Sequence, residues 1–175
     1  KIIENESNEN ELKSIVLRYF NPAGYHSSNL LFDYCKGSDK NLFSSLCNSF
    51  NLNKDFLING SDYDTIDGTP VRDFIHIDDL SNAHILALDY IEHLNNFDVI
   101  NLGSSRGYSV KEVFKEFCSY SKKDIKHKFL KRRHGDIAIS IASNTKALNV
   151  LKWSPSKDLK EMVESTYENH KCLKS

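Results

Sequence analysis

A mixed α/β fold is predicted for this chain of 175 residues. Two observations carry it. Short β-branched and aromatic runs, such as SIVLRYF at 14–20, alternate with longer segments whose apolar residues recur every three or four positions. Pro, Gly and Asn punctuate the joins between them.

The elements follow in order. Residues 1–13 are polar and acidic and read as a flexible surface lead-in, leaving 14–175 as the folded unit. Strand 14–20 is broken by Asn21-Pro22-Ala23-Gly24, and 25–38 has no period and reads as a loop. Leu42, Phe43, Leu46, Cys47 and Phe50 fall at helical spacing and predict a helix over 39–50. A strand at 56–58 and a polar loop at 60–70 come next, then an extended run at 71–77. Asp78 is placed to cap a helix with Leu80, Ala83, His84, Ala87, Leu88 and Ile91 on its inner face. Residues 99–102 form a short strand ending at Gly103. Ser109 and Glu112 form a capping box, in which the Ser oxygen takes an orphan backbone N–H and the Glu reaches back. The helix it opens turns Val113, Phe114, Phe117 and Cys118 inward. A strand at 127–130, a short helix capped by Ser143 or Asn144, and a helix over 158–170 complete the chain. Few parallel strands are available for a doubly wound sheet, so the chain reads as the end of such a fold. A first residue other than Met points the same way, to a piece of something longer.

Composition excludes several classes. Lys and Arg total 23 against 24 Asp and Glu, for a net charge of -1, so no general attraction to nucleic acid or anionic membrane is expected. No apolar run approaches the ~20 residues that cross a bilayer. Cys35, Cys47, Cys118 and Cys172 show no C-x-x-C or zinc spacing and read as free thiols, consistent with a cytoplasmic protein.

Three segments place polar groups at strand ends. Ligands of open α/β sheets bind at carboxyl ends of strands, where Tyr19 and Asn21 sit. Taken alone, the same segment reads more simply as a strand followed by a Pro-Gly turn. In the second, GTPVRDFIHIDDL at 68–80, Arg72 could fork onto a phosphate or pair locally with Asp73 or Asp67. His76 reads as structural, and Asp78 and Asp79 as a helix cap. The third, KRRHGD at 131–136, suits a diphosphate beside a sugar hydroxyl, or is a solvated basic run.

Together these segments resemble the extended short-chain dehydrogenase/reductase superfamily, and most closely the UDP-glucose 4-epimerases. The resemblance rests on LRYFNPAG (17–24), GSDYDTIDGTPVRDFIHIDDLSNAH (60–84), INLGSSRGYSV (100–110) and RRHGD (132–136). It implies the C-terminal part of an NAD(P)-binding Rossmann-like fold with a small substrate-binding domain. It further implies that Tyr19 touches the nicotinamide side of NAD and that Asn21 holds the UDP-sugar. Asn41 and Leu42 would line the nucleotide site, and Leu57, Ile58 and Asn59 would flank the uracil. Arg72 and Arg133 would neutralise the diphosphate, and Asp136 would hydrogen-bond the ribose. The implied reaction interconverts UDP-glucose and UDP-galactose, in galactose metabolism. Hydride leaves C4 of the sugar for NAD and returns to the other face of a 4-keto intermediate. A homodimer of the full-length protein is also implied.

Two of the family's devices are absent from the sequence. There is no G-x-x-G-x-x-G turn to cradle the NAD pyrophosphate. A Tyr-x-x-x-Lys pair, which would take the C4 hydroxyl proton, occurs only as Tyr167 and Lys171, on the last helix and outside the family's position. No catalytic residue is therefore assigned to the chain, and alone it is expected to be inactive. Lys40, Asn59, Pro70 and Ser140 depart from the family's pattern, as does the 28–38 loop, and the exact sugar stays open. The alternatives are a nucleotide-sugar decarboxylase, dehydratase or other epimerase, a non-catalytic UDP-sugar-binding module, and a scaffold whose arginines form surface ion pairs.

Overall fold

The computed structural model describes residues 1–28, 30 and 41–172, with side chains through residue 170. Cys35, Lys40 and most of the 25–38 loop lie outside the described residues, as do the side chains of Lys171 and Cys172.

Strand β1 (Ser14–Tyr19) pairs in parallel with β5 (Phe97–Leu102), Ser14 opposite Phe97 and Tyr19 opposite Leu102. The crossover between them includes helix α3 (Ile77–Glu92), which packs on β1. Ile75, Ala83, Ala87, Ile100, Leu102, Leu151 and Trp153 form the core here, closed by helix α5 (Thr145–Leu151). The Trp153 indole N–H donates to the Asp79 carbonyl at 3.0 Å, so the buried ring keeps its polar edge satisfied.

A second core lies on the other side of strand β4 (Val71–His76). Strand β2 (Asn21–Ala23) continues from β1 and pairs in parallel with β4. Strand β6 (Gly107–Ser109) is antiparallel to β4, and β8 (Ile139–Ser140) is parallel to it. Strands β3 (Phe56–Asn59) and β7 (His127–Leu130) form a separate parallel pair. Helices α2 (Leu42–Leu52), α4 (Val110–Ser121) and α6 (Leu159–Cys172) close this core, which is largely aromatic. Phe43 packs edge-on to Phe74 and Phe117, and Phe56 stacks on Phe114. Alternation along β4 sends Phe74 into this core and Ile75 into the other. The carboxyl end of β1, the start of β2 that follows it and the first half of β4 thus sit at the seam between the cores.

The carboxylates of the 60–84 stretch fasten this seam. Asp73 is fully buried. Its Oδ1 accepts from Ser104 N and Oγ, both at 2.7 Å, and its Oδ2 from Ser105 N at 2.9 Å and Ala142 N at 3.0 Å. Asp79 accepts from Ser156 N and Oγ and from Lys157 N, at 2.8–3.0 Å. Asp67 accepts from Thr69 N and Oγ1 and from Ser109 Oγ. Burial raises the Asp67 pKa, but those hydrogen bonds outweigh it and hold the carboxyl below its ordinary range. Neither local partner suggested for Arg72 is its partner; Asp67 and Asp73 are occupied with loops.

Several expectations are corrected. Residues 2–10 form helix α1 (Ile2–Asn10) rather than a structureless lead-in. Asn10 bonds Glu6 across one turn, and Ser7 Oγ donates to Ser14 Oγ at 2.9 Å, tying the helix to β1. Helix α3 is capped by His76, not by Asp78 or Asp79. The His76 Nδ1 accepts from Asp78 N at 3.1 Å, which leaves Asp78 in the first turn facing the helix dipole. Leu88 and His84 lie outside the inner face of α3 and are exposed, as is Ile85. Helix α2 starts after Asn41, whose side chain caps it. Asn144 precedes α5 without a side-chain cap bond. The Ser109–Glu112 capping box is present in both directions. Among the described residues, no helix is long and apolar enough to cross a membrane.

Candidate functional site

A cleft of about 360 Å³ opens at the seam. Six segments line it: the β2 start, the α2 start, β3, β4 with Pro70, the α4 start, and the 131–136 connection between β7 and β8. Eight of the ten residues singled out from the sequence reach it: Asn21, Asn41, Leu42, Leu57, Asn59, Arg72, Arg133 and Asp136. Ile58 does not. Strand alternation turns its side chain into the core, where it is fully buried, while Leu57 and Asn59 point the other way. Tyr19 lies beside the cleft, in a shallower depression that shares Phe20, Asn21, Arg72 and Asp136 with it and adds Ser140. Its ring is half exposed and sits 5.7 Å from that of His84.

Each polar group is held from behind. The Asn21 amide donates to the Asp73 carbonyl at 2.8 Å. Asn41 Oδ1 accepts from Phe43 N at 3.0 Å, so it is both the cap of α2 and a wall of the cleft. Arg72 Nη1 donates to the Val71 carbonyl at 2.7 Å and, more weakly, to the Ala138 carbonyl at 3.4 Å. Its Nη2 pairs with Asp136 Oδ1. Arg133 is held by Asn59: with the amide oxygen turned toward the guanidinium, it accepts from Nε and Nη2 at 3.2 Å each.

The basic run divides by role. Arg133 enters the cleft, whereas Arg132 turns outward to Asp62 (Nε to Oδ1, 2.7 Å) and lies 4.2 Å over the Tyr63 ring. Arg132 holds the Asp62 carboxyl below its ordinary pKa. Burial, reinforced by the Asp136 charge, raises the Tyr63 phenol.

Residues outside the sequence reading also line the cleft, among them Phe20, Ser45, Phe74 and Val110. Ser45 was within reach, because it follows Asn41 by one helical turn. Phe74 and Val110 arrive through strand pairing and carry no local signal. Tyr167 is buried against Phe50 and Tyr120 in the aromatic core and does not line the cleft.

Chemically, the cleft offers two guanidinium groups, three amides, one carboxylate and apolar walls. Forked, charge-assisted contacts of this kind suit an anion with two phosphates, and the amides and carboxylate suit hydroxyls or a polar ring beside it.

Residues 1–103 match the family model described as the NAD dependent epimerase/dehydratase family. The chain is 38% identical over 169 residues to UDP-glucose 4-epimerase uge1 of Schizosaccharomyces pombe, covering 95% of this chain and 48% of that protein. It superimposes with a TM-score of 0.94 and 32% identity on a UDP-glucose-4-epimerase from Stenotrophomonas maltophila solved with bound NAD and formylated UDP-arabinopyranose. That match covers 99% of this chain and 52% of the other. A UDP-glucose 4-epimerase from Bifidobacterium longum, in complex with NAD+ and UDP, matches with a TM-score of 0.87 and 35% identity, covering 97% of this chain and 50% of that one. The chain spans about half the length of the curated 4-epimerases it matches.

Proposed function

Since the chain belongs to the NAD dependent epimerase/dehydratase family, we propose that it supplies the nucleotide-sugar-binding half of an enzyme interconverting UDP-glucose and UDP-galactose. One observation carries the reading. Two arginines from separate segments, 61 positions apart in sequence, meet in one cleft with Asn21, Asn59 and Asp136. The cleft also lies at the carboxyl end of a strand, where such folds bind ligands.

In this reading Arg72 and Arg133 neutralise the diphosphate, and Asp136 accepts from a ribose hydroxyl. Leu57 and Asn59 flank the base, Asn41 and Leu42 line the nucleotide pocket, and Asn21 faces the sugar. UDP is the firm handle, so the sugar beyond it is free to turn between hydride departure and return. NAD, if held by the complete protein, would supply the hydride chemistry at C4. Of the groups a dinucleotide needs, this chain offers the exposed Tyr19 ring and no glycine-rich turn, so its residues do not fit the pyrophosphate. Its own part is to bind and orient the substrate. The reading carries with it a cytoplasmic protein that is a homodimer at full length.

Titration calorimetry on the complete protein tests it. UDP, UDP-glucose and UDP-galactose should bind with similar affinity, and free glucose and galactose should not bind. Failure of UDP to bind would exclude a nucleotide-sugar site and favour a scaffold with surface ion pairs.

A further inference from the structure

Residues 131–136 carry Arg133 and Asp136 to the cleft, yet 131–135 are exposed. Among the described residues, the backbone of 131–137 makes one backbone hydrogen bond, Asp136 N to the Arg133 carbonyl at 3.2 Å, and none to a neighbouring element. Backbone pairing fixes its two ends, through Gly60 N to the Leu130 carbonyl at 2.9 Å and Val71 N to the Ala138 carbonyl at 2.8 Å. Side chains hold the span between them.

The anchor is the loop between β3 and β4. Gly60 and Gly68 both take positive φ, 82° and 78°, and a Cβ at either would strike the Tyr63 ring or the Ser61 carbonyl. Tyr63 N donates to the Gly68 carbonyl at 3.0 Å, and Thr65 Oγ1 to the Thr69 carbonyl at 2.7 Å. Tyr63 is thereby held buried at a fixed point. Its hydroxyl donates to Asp136 Oδ2 at 3.4 Å, a long contact, on the oxygen that Arg72 does not use. The Arg132 guanidinium covers its ring and is gripped twice by Asp62, at the carboxylate and at the main-chain carbonyl.

We propose that Tyr63 and Arg132 are positioning residues for the nucleotide site: neither lines the cleft, and together they clamp the 131–136 strap so that Arg133 and Asp136 face it. The inference rests on the nucleotide-sugar reading above. It separates the run of cations by function. Arg133 is a ligand, and Arg132 is the bolt that aims it. A lysine cannot serve at 132, because gripping two oxygens while lying flat on a ring requires a planar fork.

The test uses the complete protein and two readouts. In Arg132→Ala, UDP affinity falls about tenfold, and hydrogen exchange speeds up at the Asp136 amide, the hydrogen-bonded one in the strap. Arg132→Lys restores neither. Lys131→Ala, which removes the same charge from the neighbouring position, changes UDP affinity by less than about twofold. In Tyr63→Phe, which keeps the stacked ring and removes only the hydroxyl on Asp136 Oδ2, the preference for UDP over 2′-deoxy-UDP falls. Equal losses from Lys131→Ala and Arg132→Ala would assign the effect to charge alone and overturn the clamp. Unchanged exchange in Arg132→Ala would overturn it too, whatever the cleft binds. If the unmutated protein fails to bind UDP, the nucleotide reading itself falls, and exchange alone then decides whether the strap is held in this way.

Discussion

Arg72 and Asp136 form an ion pair at the boundary between the cleft and the depression beside Tyr19. The pair is only partly exposed, with Arg72 at 17% and Asp136 at 28%, so its charges are less screened than those of a surface bridge. A diphosphate at this boundary meets Arg72 together with Arg133. Arg72→Ala and Arg133→Ala in the complete protein should each weaken UDP-sugar binding by about 1.5–3 kcal/mol, the range for a charged hydrogen bond. Calorimetry on the two variants checks this, and unchanged affinity in both would remove the diphosphate site.

Asp73 shapes the same region although it does not line the cleft. Asp73→Ala would leave Ser104 N, Ser104 Oγ, Ser105 N and Ala142 N without their acceptor. Asp73→Asn would turn an NH₂ toward backbone donors. Stranded buried groups cost about 1–3 kcal/mol each. Both variants should therefore lower the melting temperature of the complete protein markedly, with Ala the worse. A melting temperature within a degree of the parent for Asp73→Ala would mean that the loops find other partners.

Much of this was legible in the sequence, and the failures have a common cause. Strand β7 and the Ser109–Glu112 box came out as read, because each is signalled by residues next to one another in sequence. The partner of Arg72 did not. Sequence neighbours offered Asp67 and Asp73, whereas Asp136 arrives from 64 positions away, beyond a β4–β8 pairing of two residues that no periodicity announces. Strands β2 and β6 are similarly short and exist only because β4 is there to pair with them. The 60–84 stretch was recognisable for its composition, yet most of its carboxylates fasten loops. Its distinctiveness is largely structural, and Arg72 is the charged residue in it that lines the cleft.

His76 should make stability pH-dependent. Its ring is buried, and burial depresses its pKa below 6.5 despite the opposing charges of Asp78 and Asp79. The neutral ring suits the fold, since Nδ1 must accept from Asp78 N while Nε2 meets Ser165 Oγ at 3.2 Å. A depressed pKa contributes stability that is fully present above pH 6.5. That contribution is lost as pH falls from there through the lower folded value. His76→Asn keeps a good helix cap and removes the titration. The fall in melting temperature between pH 7 and pH 5 should be shallower in His76→Asn than in the parent. Parallel slopes would show that other groups set the dependence.

The last expectation concerns the 175 residues produced alone. Among the described residues β1 pairs only with β5, so its other edge presents unpaired backbone groups. Parallel sheets normally have both faces and both edges covered. Ile85 and Leu88 on α3 are 61% and 68% exposed, and Tyr19 at the end of β1 is 49% exposed, which adds apolar surface near that edge. Exposed edges beside apolar surface promote association. The isolated chain should therefore elute as oligomers or aggregate, as size-exclusion chromatography with light scattering would show. Ile85→Lys with Leu88→Lys should reduce association without lowering the melting temperature, because neither side chain belongs to the core. A monodisperse monomer with a cooperative melt would mean that the two-stranded sheet is sufficient by itself, and that the open edge is not a surface made to be covered.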